Sequence, residues 1–114
     1  MGAHPKRIKD IRAAFTGLFP LAPFVDAEPI RERAARKSMD AMSAEVAVWL
    51  SGVAYIRHEY TDYDALLGEG YGQDAARHFV IDDINAVLTD WRASRFITSE
   101  VDHDAAEQST EDHG

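Results

Sequence analysis

The sequence predicts an all-α protein: a small four-helix domain with a long central third helix, followed by a disordered acidic tail. Three observations predict it. Apolar residues recur at steps of three and four along four separate stretches, the period of an amphipathic helix. Pro20 and Pro23, and then Gly68, Gly70 and Gly72, punctuate the chain between those stretches. No stretch alternates apolar and polar residues as a half-buried strand would. Residues 1–98 are expected to form the single helical domain and residues 99–114 the tail.

The first helix is expected over residues 5–18, with Ile8, Ile11, Phe15 and Leu18 on one stripe. The run Phe19-Pro20-Leu21-Ala22-Pro23-Phe24 must end it, because two prolines interrupt helical hydrogen bonding. The apolar side chains of that run are expected to pin the connection onto the core. Asp26 reads as the N-cap of a second helix reaching Lys37, with Pro29 in its first turn and Ile30 and Ala34 facing inward. Asp40 or Ser43 can cap the third helix, in which Val46, Trp49, Leu50, Val53, Ile56, Tyr60, Tyr63 and Leu67 recur at three and four. Ala47, Ser51 and Ala54, with Gly52 nearby, form a strip of small residues that would admit a close neighbour. Gly68 and Gly70 suit the end of this helix. Thr61-Asp62-Tyr63-Asp64 also reads as a near-variant of the capping box, so the long helix could break at Thr61 and restart. A fourth helix is expected after Gly72–Asp74, with Val80, Ile84, Val87, Leu88 and Trp91 inward, and Arg92 and Arg95 suiting its C-terminal dipole. Its short connection to the third makes the two antiparallel neighbours. Beyond Thr98 the pattern stops, and residues 100–114 contain six acids and no Lys or Arg.

Composition excludes several classes. Of 114 residues none is Cys, so disulfides and thiolate metal sites are excluded. No apolar run approaches the length of a membrane span, and the N-terminus lacks the apolar region of a signal peptide, so a cytoplasmic location is expected. The chain contains no Gly-x-Ser-x-Gly elbow, phosphate loop or dinucleotide fingerprint, so no catalytic residue and no cofactor is assigned. The net charge of −8 is unevenly spread, because residues 1–40 hold eight Lys/Arg against five Asp/Glu. The remainder holds four against fifteen.

The densest polar chemistry lies in Arg57-His58-Glu59-Tyr60-Thr61-Asp62-Tyr63-Asp64. Arg57, His58, Thr61, Tyr63 and Asp64, together with Arg77, are the candidate polar network or site. On an unbroken helix Arg57, Thr61 and Asp64 share a stripe. Arg77 falls in line with Ile84 and Trp91 on the inward face of the fourth helix, where a cation needs an anion. Asp64 is the expected partner, Asp62 the second choice, with Arg57 close to the same carboxylate. The pairs His58/Asp62 and His78/Asp82 have metal-ligand spacing, but they fall on the outer sides of their core stripes, so no metal is expected.

Lys6, Arg7, Lys9 and Arg12 on the first helix and Arg31, Arg33, Arg36 and Lys37 on the second form a candidate basic patch. Scattered surface cations chiefly solubilise. Packed side by side, these eight could instead meet an acidic surface or a phosphate backbone, and the acidic tail could shield them.

One further signal is a resemblance. The runs Leu18-Phe19-Pro20 and Ile56-Arg57-His58-Glu59-Tyr60-Thr61-Asp62-Tyr63-Asp64-Ala65-Leu66-Leu67 are followed by Ala75-Ala76-Arg77-His78 and the closing Trp91-Arg92. Over residues 18–92 this resembles the bacterial family Domain of Unknown Function 2293. The chain departs from that pattern at Ser38-Met39-Asp40-Ala41-Met42, which is shorter and less basic than the corresponding Gly/Ser/Arg-rich stretch. The resemblance implies that Arg57, His58, Thr61, Tyr63, Asp64 and Arg77 belong to one recurring unit. It implies no particular activity. The reading reached is a non-enzymatic helical module that binds another macromolecule, a protein partner or a second copy first. A small enzyme or ligand site around His58, Tyr63 and Asp64 is the alternative, and nucleic-acid binding through the basic helices a further one.

Overall fold

A computed structural model describes residues 4–98; the expected acidic tail, residues 99–114, lies outside the described residues. The elements are α1 (Pro5–Leu18), α2 (Phe24–Ala34), a single 3₁₀ turn (Lys37–Met39), α3 (Ala44–Tyr60), α4 (Tyr63–Gly68), α5 (Gln73–Phe79) and α6 (Ile81–Asp90). Among the described residues there is no strand. The all-α class is correct, but the four-helix count is not, because the third and fourth expected helices are each divided. Among the described residues no helix is long and apolar enough to cross a membrane.

α3 is the spine, packed by α1, α2 and α6. It starts as expected at Ser43, whose hydroxyl accepts from the Val46 amide at 3.1 Å. Its small strip lets α1 approach. Ala47 and Ser51 are fully buried, and a Cβ on Gly52 would lie 2.5 Å from the ring of Phe19. Phe19 is the aromatic hub. It stacks on Trp49 at 6.1 Å and meets Phe15 and Trp91 edge-on at 5.6 and 5.7 Å. Ile11, Phe15 and Leu18 of α1 and Ile30 and Ala34 of α2 complete this side of the core.

The expected anchoring of the α1–α2 connection holds for Phe19, which is buried, and in part for Ala22, which packs against the core. Leu21 and Phe24 point to solvent. The connection is held instead through its backbone, the Leu21 amide donating to the Trp91 carbonyl at 3.0 Å. α2 begins three residues earlier than predicted, with Pro23 rather than Asp26 at the cap position, and ends at Ala34 rather than Lys37. Pro29 therefore sits inside the helix and offers no N–H to the Val25 carbonyl.

The break at Thr61 has a local cause. The Thr61 hydroxyl donates back to the Arg57 carbonyl at 2.5 Å and accepts from the Tyr63 amide at 3.1 Å, so one side chain ends α3 and starts α4. α4 then closes with paired bonds, Tyr71 amide to Leu66 carbonyl and Gly70 amide to Leu67 carbonyl, with Gly70 at φ +102°. α6 ends in the same motif, Ala93 amide to Leu88 carbonyl and Arg92 amide to Thr89 carbonyl. Here a non-glycine, Arg92, takes the left-handed position at φ +59°. The segment that follows is strapped down by Asn85, whose amide donates to the Ile97 carbonyl at 3.0 Å and accepts from the Ile97 amide at 2.9 Å. The Arg95 guanidinium lies 4.2 Å from the centre of the Trp49 ring.

Candidate functional site

The structure brings five of the six predicted network residues around the α3–α4 break. Thr61 braces the break itself. Tyr63 is buried, and the buried Arg57 guanidinium lies over its ring at 5.6 Å. His58 Nδ1 meets Asp64 Oδ1 at 2.7 Å, and the His58 ring packs edge-on against Tyr63 at 5.4 Å. The expected latch between Arg77 and Asp64 is not formed. Among the described residues Arg77 makes no ion pair, and its half-buried side chain keeps a buried Nε without an acceptor. The prediction assumed two continuous helices. The breaks at Thr61 and Val80 turn Asp64 outward to His58 and take Arg77 off the register of Ile84 and Trp91.

The His58–Asp64 contact has the geometry by which a carboxylate orients an imidazole, and in the tautomer with Nδ1–H donating to Asp64 the Nε2 atom is the acceptor. Among the described residues no hydroxyl hydrogen-bonds to His58, and no group of three or more His, Cys, Asp or Glu side chains could hold a metal ion.

The buried ionisable group that links two helices is Asp26, read from the sequence only as a cap. It lies in the first turn of α2, where a carboxylate suits the helix dipole, and is 3% exposed. Oδ1 accepts from the Tyr55 hydroxyl at 2.6 Å and Oδ2 from the Tyr60 hydroxyl at 2.8 Å. Burial, and then the bond to Asp26, push the Tyr55 phenol well above its ordinary value. Tyr60 is raised too, first by its bond to Asp26. Both phenols therefore hold their protons and donate to the Asp26 carboxyl oxygens.

Tyr60 also ties this latch to the surface. Its ring packs edge-on against Trp91 at 6.2 Å, and Trp91 holds the Leu21 amide. Around this fixed point three large apolar side chains face solvent: Leu21 at 59%, Phe24 at 81% and Val25 at 73% exposure. Sequence reasoning placed Leu21 and Phe24 against the core. Their position between two prolines fixes where the chain turns but not which side chains turn inward.

The eight candidate basic residues do not form a continuous sheet of charge. Lys6 pairs with Asp10 at 3.0 Å, and Arg7 donates to the Met39 carbonyl at 2.9 Å. Arg31 lies over the Phe15 ring, and burial, then the neighbouring Arg36, lower the pKa of Arg33. Arg12 and Arg31 line a cleft of about 200 Å³ between α1 and α2, floored by Ile8 and Ile11 and shared with Glu28 and Glu32. Lys9, Arg36 and Lys37 are exposed.

No curated protein and no solved structure matches the chain. A family model described as "Uncharacterized conserved protein (DUF2293)" matches residues 14–92. That span contains the Asp26 latch, the Thr61 break, Arg77 and the exposed corner, and it leaves out Lys6, Arg7, Lys9 and Arg12. Since it covers well over half of the sequence, the chain belongs to the DUF2293 family of uncharacterized conserved proteins.

Proposed function

We propose that this chain is a non-enzymatic helical module that binds another protein through the corner formed by Leu21, Phe24 and Val25. The observation that carries the reading is the exposure of these three large apolar side chains on a backbone held from both ends. Surface residues of this kind occurring singly need no explanation, but three of them within five residues on a rigid support have the composition of a docking patch. Asp26 and its two tyrosines fix the first turn of α2, so little order is lost when a partner covers Phe24. Neighbouring Tyr60, half-exposed and amphipathic, suits the rim of such a contact. The polar segment serves this reading as a brace for the α3–α4 break.

The test compares two baits, the wild-type chain and the double variant Phe24→Ser/Val25→Ser, followed by reconstitution with the purified captured protein. A defined stoichiometric complex with wild type, weakened at least about tenfold by the double variant, supports the proposal. Equal binding by both baits removes this corner from the interface.

A second reading, a ligand or enzyme site at His58, Tyr63 and Asp64, draws on the 2.7 Å contact between His58 and Asp64. Burial of the Tyr63 ring and use of the Thr61 hydroxyl on the backbone favour the brace. Chemical-shift changes confined to His58 and Asp64 on screening small metabolites would favour the site.

A further inference from the structure

The fold satisfies aromatic rings with cations at three places: Arg95 over Trp49, Arg57 over Tyr63 and Arg31 over Phe15. Among the described residues, the exposed pair Tyr71 and Phe79 has no such cation. Tyr71 follows the turn that closes α4, and Phe79 is the last residue of α5. Their rings meet edge-on at 5.4 Å and an interplanar angle of 89°, yet they remain 44% and 56% exposed. Among the described residues no guanidinium or ammonium group lies over either ring.

The surroundings indicate what would cover them. Between Glu59 and Asp90 the chain carries eight Asp and Glu residues and a single Lys or Arg, Arg77. All eight acids are exposed. Glu69 lies two residues before Tyr71, and Asp82 and Asp83 lie three and four residues after Phe79. We propose that the Tyr71–Phe79 pair, with the exposed acids Glu69, Asp82 and Asp83 within four residues of it along the chain, docks a lysine- or arginine-rich segment of a partner protein. The aliphatic stem of such a side chain covers apolar ring surface while its charged end reaches a carboxylate. The ring faces attract the cation directly. The negative potential of this half of the molecule draws a basic segment in and repels phosphate, which disfavours nucleic acid and anionic lipid as occupants. This surface involves other elements than the α2 corner and stands independently of it.

The experiment titrates the full chain with hexaarginine, and with hexaglutamate as control, following amide and aromatic signals by NMR at low and moderate salt. Saturable shifts centred on Tyr71, Phe79 and the Asp82–Asp83 turn are expected, weakening as salt rises. The variant Tyr71→Ser/Phe79→Ser keeps the net charge and all six carboxylates of residues 100–114. It should bind hexaarginine about tenfold more weakly, a loss within the range of cation–π contacts. Tyr71→Ser alone serves if thermal melting shows the double variant unfolded. Phe24→Ser should leave hexaarginine affinity unchanged, which separates this result from a test of the α2 corner. Equal binding by the aromatic variant would overturn the proposal by showing attraction through charge alone. No hexaarginine binding, with concentration-dependent self-association lost in the same variant, would make the occupant a second copy and would equally overturn it.

Discussion

The hydroxyl of Tyr55 donates to Oδ1 of Asp26 across 2.6 Å, joining α3 to the first turn of α2 over 29 residues of sequence. With Tyr60 on the other oxygen, a buried charge is satisfied by two neutral donors. Hydrogen bonds to a charged group contribute about 1.5–3 kcal/mol each, and the half-exposed Tyr60 contributes at the low end or below. Asp26→Ala should therefore cost about 2–4 kcal/mol, and Tyr55→Phe about 1–2 kcal/mol. In thermal melts, Tyr55→Phe should have much less effect in an Asp26→Ala background than in wild type. Additive losses would mean that the two side chains stabilise the fold separately.

The same latch predicts alkaline sensitivity. The phenols of Tyr55 and Tyr60 are raised above the ordinary value of 10.0, so the folded state holds their protons more tightly than the unfolded state. Their contribution is fully present below pH 10 and is lost as pH rises through the folded-state values. Spectrophotometric titration should show two of the four tyrosines ionising late, together with unfolding. In Tyr55→Phe/Tyr60→Phe the fall in stability just above pH 10 should be shallower. An unchanged profile would count against these protons being held by the fold.

Two glycines give opposite predictions for the same substitution. At Gly52 a Cβ would stand 2.5 Å from a Phe19 ring boxed in by Trp49, Trp91 and Phe15, so the ring cannot retreat cheaply. Overpacking costs about 1–3 kcal/mol, more than the helix-propensity gain from glycine to alanine. Gly52→Ala should lower the melting temperature. At Gly17 nothing lies within 4 Å, and Gly17→Ala should raise stability by up to about 1 kcal/mol. Denaturant midpoints moving in the same direction would contradict the packing assigned to Phe19.

Arg92 occupies the left-handed position that ends α6, where glycine avoids a steric cost of about 1–2 kcal/mol. Arg92→Gly should stabilise the protein by about 1 kcal/mol. A clear loss of stability would mean that the Arg92 side chain supports the turn more than its backbone strains it.

Much of this arrangement was legible because it is local. The Ile11, Phe15 and Leu18 stripe, the inward Ile30 and Ala34, the Ser43 cap and the small strip at Ala47, Ser51 and Gly52 all follow from spacing within one helix. The break at Thr61 was visible as an alternative, since Thr, Asp and Asp at those spacings compete with helix continuation. The break at Val80 has neither Gly nor Pro, although Asp82 and Asp83 mark a first turn. Missing it carried Arg77 into the wrong register and produced a latch to Asp64 that the structure replaces with His58. The Asp26 latch was hidden for another reason. Its donors lie 29 and 34 residues away, and only the packing of α2 against α3 brings them together. The aromatics around the prolines carried no periodicity to separate buried Phe19 from exposed Phe24.

Photo-crosslinking in the native host tests whether the Leu21–Phe24–Val25 corner is a protein-docking surface. A photoactivatable phenylalanine derivative replaces Phe24 in one strain and exposed Gly17 on α1 in a control. One dominant protein adduct is expected from position 24, absent from position 17 and lost when Leu21→Ser and Val25→Ser are added. The same adducts from both positions, or none from position 24, would contradict it.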